Sequence, residues 1–565
     1  MIRLAAITTL VAGCLSVPHS AAVMCRTTDD CDHDHGEVCE DHVCWGDPPG
    51  GAFAAVIAAP PASSNAVGIQ IADLNIPTNG FLNDLTLGAP VTFSGRVEAV
   101  CETCDSSAVA AQLTLTRPAA FAGGPRVQVS TASSAAAAAD SFSVDLLQTG
   151  SADAPYELTI IPTDDPTDRS AVATLVPPLR TQLTAAGNVD HTFTLGGTQQ
   201  VHVTGNLVDS VGGPLVDYDV SALGQWNANE AAQVVSNVVH STDGSFDLVL
   251  SDDLVGTVTI QAKPSADNMS SGAATLQLAS IAIDGTASDN TLTQPGSLGK
   301  LKPLDILVTG QASSGSVGPV SGVTVTVTAA VGGESSDAPT VATFSAIATT
   351  GDDGTAHVVV FDGMGEYNVD LSPPQDATSG ALYGQTLDPV QGSPTYQLPT
   401  RVSLHGKVVD ATGQPVPSMQ VRAQPSAQFA CAGVALTFNG TSGADGNFSV
   451  LVDPTIGDVA AAYDLQFEPA SELEAPTATQ TDITVDPGKS SVAVGTVKLP
   501  DPSYLHGLVT DASGKPVPMA SLSIYAVSPT SAPTCAAGTT PQGALPIATA
   551  VSDPSGNVQF SLPRP

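Results

Sequence analysis

Residues 404–417 read LHGKVVDATGQPVP, and residues 505–518 read LHGLVTDASGKPVP. In both stretches an alternating apolar run leads through an opening glycine, Gly406 or Gly507, into a polar turn that contains Gly and Pro. Glycine tolerates positive φ and proline fixes φ at about −65°, so this order predicts two strands joined by a tight turn.

The same module recurs along the chain. Weaker copies open at Gly95, Gly205 and Gly310, so the five openings are spaced at roughly 100 residues, which is the length of one small domain. The whole chain of 565 residues is far longer than one hydrophobic core supports. We therefore expect a string of similar domains.

The second half of each copy adds further strand signals. An Asp-Gly turn precedes alternating apolar residues, as at Asp445-Gly446, and a later strand often contains a tyrosine: Tyr156, Tyr367 or Tyr463. Alternation with a period of two buries one face of each strand, as a two-sheet sandwich requires. These features predict an all-β protein: a tandem array of about five β-sandwich domains with a small disulfide-rich N-terminal module.

The combined pattern, G-x-V-x-D-x-x-G-x-P followed by D-G-x-F and a Tyr strand, resembles the carboxypeptidase regulatory-like domain family. The repeats that open at Gly406 and Gly507 match it best, Gly205 fairly well, and Gly95 and Gly310 loosely. The resemblance implies a transthyretin-like β-sandwich and a non-catalytic accessory role in an extracellular multidomain protein. It specifies a fold and no reaction.

The last repeat lacks its Tyr strand, because the sequence stops at residue 565 shortly after Phe560. We expect an unpaired sheet edge there, which proteins usually cover. Either another chain covers it, or the sequence is a truncated form.

The N-terminus predicts export. Arg3 precedes a short apolar stretch, and residues 1–22 form the expected signal, cleaved after a small-residue site at 20–22. Alternatively, residues 11–14 resemble a bacterial lipobox that ends at Cys14, whose thiol would be lipidated. Either alternative places the protein outside the cytoplasm, as an outer-membrane lipoprotein or a secreted protein.

The eight cysteines after Cys14 suit an oxidising compartment, so we expect them in disulfides. They are Cys25, Cys31, Cys39, Cys44, Cys101, Cys104, Cys431 and Cys535. Their pairing is left open, although Cys101 and Cys104 replace the Gly-Pro turn of the first repeat and suggest a local bridge.

The predicted units follow from these signals. The disulfide-rich module spans 25–45, and a Pro-rich linker spans 46–62. The five sandwiches are expected at 63–180, 181–282, 283–385, 386–482 and 483–565. If each sandwich adds roughly 30 Å, the string would extend over more than about 100 Å.

The charge excludes one class of partner. Lys and Arg total 17 against 55 Asp and Glu, a formal charge of −38. Nucleic-acid affinity depends on neutralising phosphates with Lys and Arg, so we expect no nucleic acid. We expect contact with a membrane only through a lipid anchor.

The sharpest candidate for a metal site lies in the module. Asp30, Asp32 and Asp34 alternate like the first ligands of a calcium loop, and histidines nearby could bind a transition metal. Gly36 and Asp41 depart from the calcium pattern. The alternative, which we favour, is a solvated acidic loop between disulfides.

The sequence predicts no enzyme and no cofactor. None of the ten histidines starts a His-x-x-Glu or His-Glu-x-x-His motif. The expected function is structural or adhesive, with an extracellular protein or polysaccharide as partner. The alternative is a carbohydrate-binding accessory protein, which would stack sugars on aromatic faces; Trp45 and Trp226 are its candidates, although burial is the default for tryptophan.

Overall fold

The structure is a computed structural model of the full chain. It describes residues 24–60, 66–83, 85–101, 104–121, 124–133, 142–149, 155–163, 175–197, 201–208, 213–226, 233–251, 254–265, 275–282, 289–291, 301–311, 316–331, 342–361, 366–388, 392–429, 437–457, 459–470, 475–527 and 545–564. Strands account for 59% of the chain and helix for 3%, which confirms the all-β prediction.

The N-terminal part of the chain contains short elements. The disulfide-rich module has two 3-10 turns, Thr28–Asp30 and His33–His35, followed by a hairpin. Three further strands follow it. The strands are β1 (Val38–Glu40), β2 (Val43–Trp45), β3 (Phe53–Ala58), β4 (Ile69–Ile71) and β5 (Phe81–Leu82).

The first two sandwiches follow in chain order. Sandwich 1 consists of β6 (Pro90–Cys101), β7 (Cys104–Ala108), β8 (Ala111–Arg117), β9 (Val127–Ser133), β10 (Phe142–Leu147), β11 (Tyr156–Pro162), β12 (Leu179–Leu183) and β13 (Val189–Gly196). Sandwich 2 consists of β14 (Val201–Asn206), β15 (Tyr218–Gln225), β16 (Gln233–Val234), β17 (Val239–Ser241), β18 (Ser245–Leu250), β19 (Val255–Pro264), β20 (Thr275–Ala282) and β21 (Asp289–Thr291).

The remaining strands form three more sandwiches. Sandwich 3 consists of β22 (Leu301–Gln311), β23 (Val317–Pro319), β24 (Thr324–Val331), β25 (Ala342–Thr349), β26 (Thr355–Phe361), β27 (Tyr367–Ser372), β28 (Leu382–Leu387) and β29 (Thr395–Gln397). Sandwich 4 consists of β30 (Val402–Val409), β31 (Gln420–Pro425), β32 (Phe438–Thr441), β33 (Asn447–Val452), β34 (Thr455–Ile456), β35 (Val459–Ala460), β36 (Ala462–Glu468), β37 (Ala478–Thr484) and β38 (Ser491–Lys498). In sandwich 4 a 3-10 turn, Ala427–Phe429, follows β31. Sandwich 5 contains β39 (Pro502–Leu508), β40 (Ser521–Ala526), β41 (Ala548–Val551) and β42 (Asn557–Pro563).

One topology recurs in all five sandwiches. In one sheet of each sandwich the strand with the opening glycine pairs with an antiparallel strand and with a parallel strand. The parallel strand is the last strand of the domain in sandwiches 1 to 4, and it is β5 in sandwich 5. The larger sheet of sandwich 4 has the order β32-β31-β36-β37, and sandwich 1 has the equivalent order β9-β8-β11-β12. The predicted Tyr strands are β11, β27 and β36, whose tyrosines are all buried.

Sandwich 5 is completed by the N-terminal part of the chain. Its sheets have the orders β41-β40-β3-β4 and β42-β39-β5, so β3, β4 and β5 occupy the places of β36, β37 and β38. The predicted linker at 46–62 is therefore wrong at residues 53–58, which form β3. The predicted open edge is also wrong, because β3 pairs antiparallel with β40 over six residues.

The domain limits differ from the predicted ones for a related reason. In sandwiches 1 to 4 the last strand pairs with the first strand of the same sandwich and ends shortly before the next sandwich begins. Sandwich 1 thus extends to β13, beyond the predicted limit at residue 180, and residues 66–88 belong to sandwich 5. Since both ends of the array meet in sandwich 5, the chain closes a circuit, and the expected open string is wrong.

Neighbouring sandwiches are joined by more than covalent linkers. β20 of sandwich 2 pairs with β25 of sandwich 3, which fuses their larger sheets into one nine-stranded sheet. Arg401, at the start of sandwich 4, is buried against Asp453 (Nε–Oδ1 3.0 Å) and donates to three carbonyls of the 374–377 loop of sandwich 3. Within the described part of the chain, no helix has the length and hydrophobicity that crossing a bilayer requires.

Candidate functional site: the closure junction

We call the contact between residues 24–88 and residues 502–564 the closure junction. Its central element is β3, whose Phe53 lies opposite Ala526, as Tyr463 of sandwich 4 lies opposite Pro425. Phe53 therefore supplies the aromatic residue that the last repeat lacks. The sheet pairing has the same register as in a sandwich built from one continuous segment.

The apolar side of the junction is a complete hydrophobic core. Phe53, Ala55 and Ile57 of β3 are buried, and they pack in one cluster with Leu522 and Ile524 of β40. Leu82, Leu85 and Leu87 are buried in the same cluster with Leu505 and Phe560. Removing residues 24–88 would therefore expose the core of sandwich 5, and its exposure is unfavourable by roughly 25 cal/mol per Å².

The opening glycine explains why these leucines fit. A Cβ on Gly507 would lie 2.7 Å from Leu85 Cδ1 and 3.0 Å from Leu82 Cβ. In sandwich 2, a Cβ on Gly205 would lie 2.5 Å from the Phe246 ring. The glycine of the repeat is thus required by close packing over its Cα, and in sandwich 5 the packing groups come from the N-terminal segment.

The disulfide-rich module docks on the same sandwich. The Trp45 ring is buried and stacks on His506, with ring centroids 4.5 Å apart and an interplanar angle of 18°. Phe81 meets the same imidazole edge to face at 5.0 Å. Burial lowers the pKa of His506, and the carboxylates of Glu40 and Asp41 oppose that shift. His506 therefore favours the neutral state beneath the indole.

Ion pairs and hydrogen bonds lie at the edge of the closure junction. Arg564 forms ion pairs with Glu37 and with Asp47, the latter with Nε–Oδ2 at 3.0 Å. The buried hydroxyl of Ser503 donates to the carbonyls of Gly46 (2.8 Å) and Asp47 (2.6 Å). These contacts fix the direction in which the chain passes from the module into β3.

A cavity of about 450 Å³ lies where the module meets sandwiches 4 and 5. Its charged lining residues are five carboxylates and one arginine: Asp30, Asp32, Glu37, Asp410, Asp501 and Arg564. Asp30 Oδ2 accepts the N–H groups of Arg26 (2.7 Å) and Thr27 (3.0 Å), and these bonds lower the pKa of Asp30.

Two of the three carboxylates of the predicted metal site, those of Asp30 and Asp32, accept backbone N–H groups of their own turns. Asp32 Oδ1 accepts the N–H of Asp34 at 3.1 Å and caps the second 3-10 turn. Among the described residues, the one group of three or more donor atoms close enough for a single ion is Cys25, Cys31 and Cys44, which are oxidised. The structure thus does not bring Asp30, Asp32 and Asp34 together as one such group.

The module cysteines form two disulfides. Cys25 bonds to Cys39, and Cys31 bonds to Cys44, which confirms the predicted disulfide-rich module and supplies the pairing of its cysteines. Cys101 is disulfide-bonded, and its backbone lies opposite Cys104 across β6 and β7. Cys14, Cys431 and Cys535 lie outside the described residues.

Neither candidate sugar platform is exposed. Trp45 is enclosed in the closure junction, and Trp226 is 8% exposed, with the Arg180 guanidinium 5.6 Å from its ring centroid. Both tryptophans therefore pack within or between units, and they offer no open ring face to a sugar.

Several other charged residues stabilise turns and strands. Asp511 Oδ1 accepts the N–H groups of Ser513 (2.9 Å) and Lys515 (3.0 Å) and the Ser513 hydroxyl (2.6 Å). The hydroxyl bond contributes most to lowering the pKa of Asp511. The His357–Asp305 pair (2.6 Å) joins opposite residues of β26 and β22. These groups stabilise hairpins and sheets.

Sequence reasoning missed the residues that form the junction. Residues 53–58 read FAAVIA, an apolar run long enough for a strand, but the prolines on both sides predict a linker there. The alternating run at residues 85–93, LTLGAPVTF, is a second signal, although the repeat pattern predicts the whole run as part of the first sandwich.

No protein-family model matches the chain, and no curated protein matches it. Solved structures that resemble it include GBS52, the minor pilin of Streptococcus agalactiae, with 11% identity and a TM-score of 0.19 over 35% of this chain and 94% of that one. The streptococcal ancillary pilin has 10% identity and a TM-score of 0.16 over 73% and 98% of the two chains. The full-length RrgB pilus protein of Streptococcus pneumoniae has 10% identity and a TM-score of 0.15 over 73% and 98%. Identities and TM-scores this low support no conclusion about the function of this chain.

Proposed function

We propose that this chain is a non-catalytic extracytoplasmic protein with a structural or adhesive role, built from carboxypeptidase regulatory-like sandwiches. The observation that supports this most is how the described polar residues are used. Asp511 and its counterpart Asp410 bind the N–H and hydroxyl groups of their own turns, and the module cysteines are oxidised. Such residues build a framework and leave outer strand faces and loops to meet a partner.

The disulfides support the proposed location. Disulfides persist in oxidising compartments outside the cytoplasm, and two of them hold the module. Residues 1–22 as an export signal and Cys14 as a lipidation site remain predictions. The mass and first residue of the mature protein distinguish release after residue 22 from lipidation at Cys14.

The proposed partner is an extracellular protein or a polysaccharide. The formal charge of −38 keeps such a protein soluble and disfavours anionic partners. Calcium binding by Asp30, Asp32 and Asp34 also remains a prediction, and calorimetric titration of the purified protein with calcium tests it.

The function is tested by binding and turnover assays on the folded protein. Immobilised extracellular proteins and polysaccharides are probed with the full chain, and the same chain reduced and unfolded serves as the control. We expect saturable binding that requires the folded state and no turnover of ester, peptide or glycoside substrates. Product release from any of these substrates would contradict the proposal, as would equal binding by the unfolded control.

A further inference from the structure

Sandwich 5 is assembled from the two ends of the array. The hydroxyl of Ser503 bonds to the carbonyl of Gly46 across 457 positions of sequence, with the other four sandwiches in between. Among the described residues, the contacts that join the two parts are strand pairing, apolar packing, hydrogen bonds and ion pairs. Among the described residues these two parts are held by non-covalent contacts, which can separate without breaking a covalent bond.

The donated part is a well-defined unit. Residues 24–88 bring a disulfide-bonded module, three strands and buried side chains from Phe53 to Leu87, and they leave sandwich 5 towards β6, which starts at Pro90. The accepting part offers β39 and β40, together with His506 and Arg564. Every copy of the chain carries both parts.

We propose that a second copy of this chain can supply residues 24–88 to sandwich 5, which would join the two copies head to tail. Each contact at the closure junction would be reproduced, since donor and acceptor groups are the same in both copies. Exchange of identical elements is a low-cost route to association, and this contact is heterologous, so it can continue from copy to copy. The proposal goes beyond the structural or adhesive role and does not rest on it.

Sandwich 1 also contacts sandwich 5, so copies joined by exchange of residues 24–88 would be held by a second interface. Gln70 of β4 donates to the carbonyl of Pro125 (2.6 Å) and accepts the N–H of Ala120 (2.7 Å), while Phe121 packs on Tyr525 with ring centroids 5.2 Å apart. The donor strands thus carry sandwich 1 with them onto the accepting sandwich. An exchanged joint would keep this second interface and place sandwich 5 of one copy against sandwich 1 of the next.

Protein concentration and salt decide whether residues 24–88 complete sandwich 5 of their own chain or of a second copy. Closure within one chain is favoured by the effective concentration of its own N-terminal segment, so exchange requires a high protein concentration or refolding together. Two copies each carrying a formal charge of −38 repel one another, and salt screens that repulsion. We therefore expect exchange to increase with both protein concentration and ionic strength.

The test uses two full-length variants, Ala58→Cys and Ser521→Cys. These exposed residues are direct partners in the pairing of β3 with β40. The two variants are mixed, unfolded with the native disulfides intact, refolded together over a range of concentrations, and then oxidised. Only exchange between copies places the two new thiols opposite each other, so covalent dimer is counted on a non-reducing gel.

Controls separate exchange from chance collision. Ala58→Cys mixed with Ser449→Cys, an exposed residue of β33, measures random cross-linking. The double variant Ala58→Cys/Ser521→Cys reports closure within one chain. We expect a dimer yield several-fold above the control that increases with concentration and salt. A dimer yield equal to the control at every concentration would overturn the proposal, whether or not the double variant cross-links internally.

Discussion

The substitution Ile57→Ala tests whether β3 belongs to the core of sandwich 5. Ile57 is fully buried, lies opposite Leu522 in the pairing of β3 with β40, and belongs to the same hydrophobic cluster. Truncating a buried isoleucine to alanine removes apolar contacts and leaves a cavity, which together destabilise a domain by about 2–5 kcal/mol. We expect this loss to appear in sandwich 5, more than 400 residues away in sequence from the substitution.

Native-state hydrogen exchange measures this effect domain by domain, because a multidomain chain has no single free energy of unfolding. A loss of 2 kcal/mol corresponds to exchange about 30-fold faster, since about 1.4 kcal/mol is a factor of ten. We expect this acceleration, or more, in amides of β39 and β40 that exchange by unfolding of the sandwich, with little change in sandwich 3.

The matched control is Leu158→Ala. Leu158 is fully buried in β11, which has the place in sandwich 1 that β3 has in sandwich 5. It should accelerate exchange in sandwich 1 and leave β39 and β40 unchanged. If Ile57→Ala left exchange in β39 and β40 unchanged while Leu158→Ala behaved as expected, the assignment of β3 to sandwich 5 would be refuted.

Three further predictions concern other contacts. Arg401→Ala leaves the buried carboxylate of Asp453 without its cation, which should destabilise sandwich 4 by roughly 3–5 kcal/mol, while Arg401→Met/Asp453→Leu should recover much of the loss in thermal unfolding. The folded-state pKa of His506 is below the unfolded value of 6.5, so the unfolded state takes up the proton first and docking stability is lost as pH falls from about 6.5. In a Trp226→Phe background, Trp45 fluorescence should therefore titrate with a midpoint below 6.5, and His506→Gln should abolish that titration. Reduction of the two module disulfides should cost roughly 2–4 kcal/mol each and make residues 24–45 sensitive to protease; equal protease resistance before and after reduction would count against their structural role.

Much of the fold could be predicted from local sequence. The turn at Asp410 forms as its Asp, Gly and Pro pattern indicates, with Gly413 at a φ of 90°, and the turn at Asp445 has Gly446 at a φ of 75°. Each of these signals acts over a few residues, where the turn geometry and the period-two alternation decide the structure. The strand content and the recurring sandwiches follow from them.

The closure could not be predicted in this way. The pairing of β3 with β40 depends on the packing of buried side chains from segments far apart in the sequence. No sequence feature near Phe53 indicates which strand it pairs with. The last strands of sandwiches 1 to 4 escape local prediction for the same reason: each pairs in parallel with a strand about 90 residues earlier, as His191 of β13 pairs with Gly95. The disulfide pairing was likewise fixed only by the folded module.

The most direct test of the central claim is single-molecule energy transfer between dyes at Gly50→Cys and Met519→Cys. Both positions are exposed, and a Cβ at Gly50 meets open space. At high dilution, where chains are alone, closure places both dyes on one sandwich and predicts a single population with high transfer. An open string of five sandwiches would hold the dyes over about 100 Å apart, so a population with transfer near zero would contradict the account.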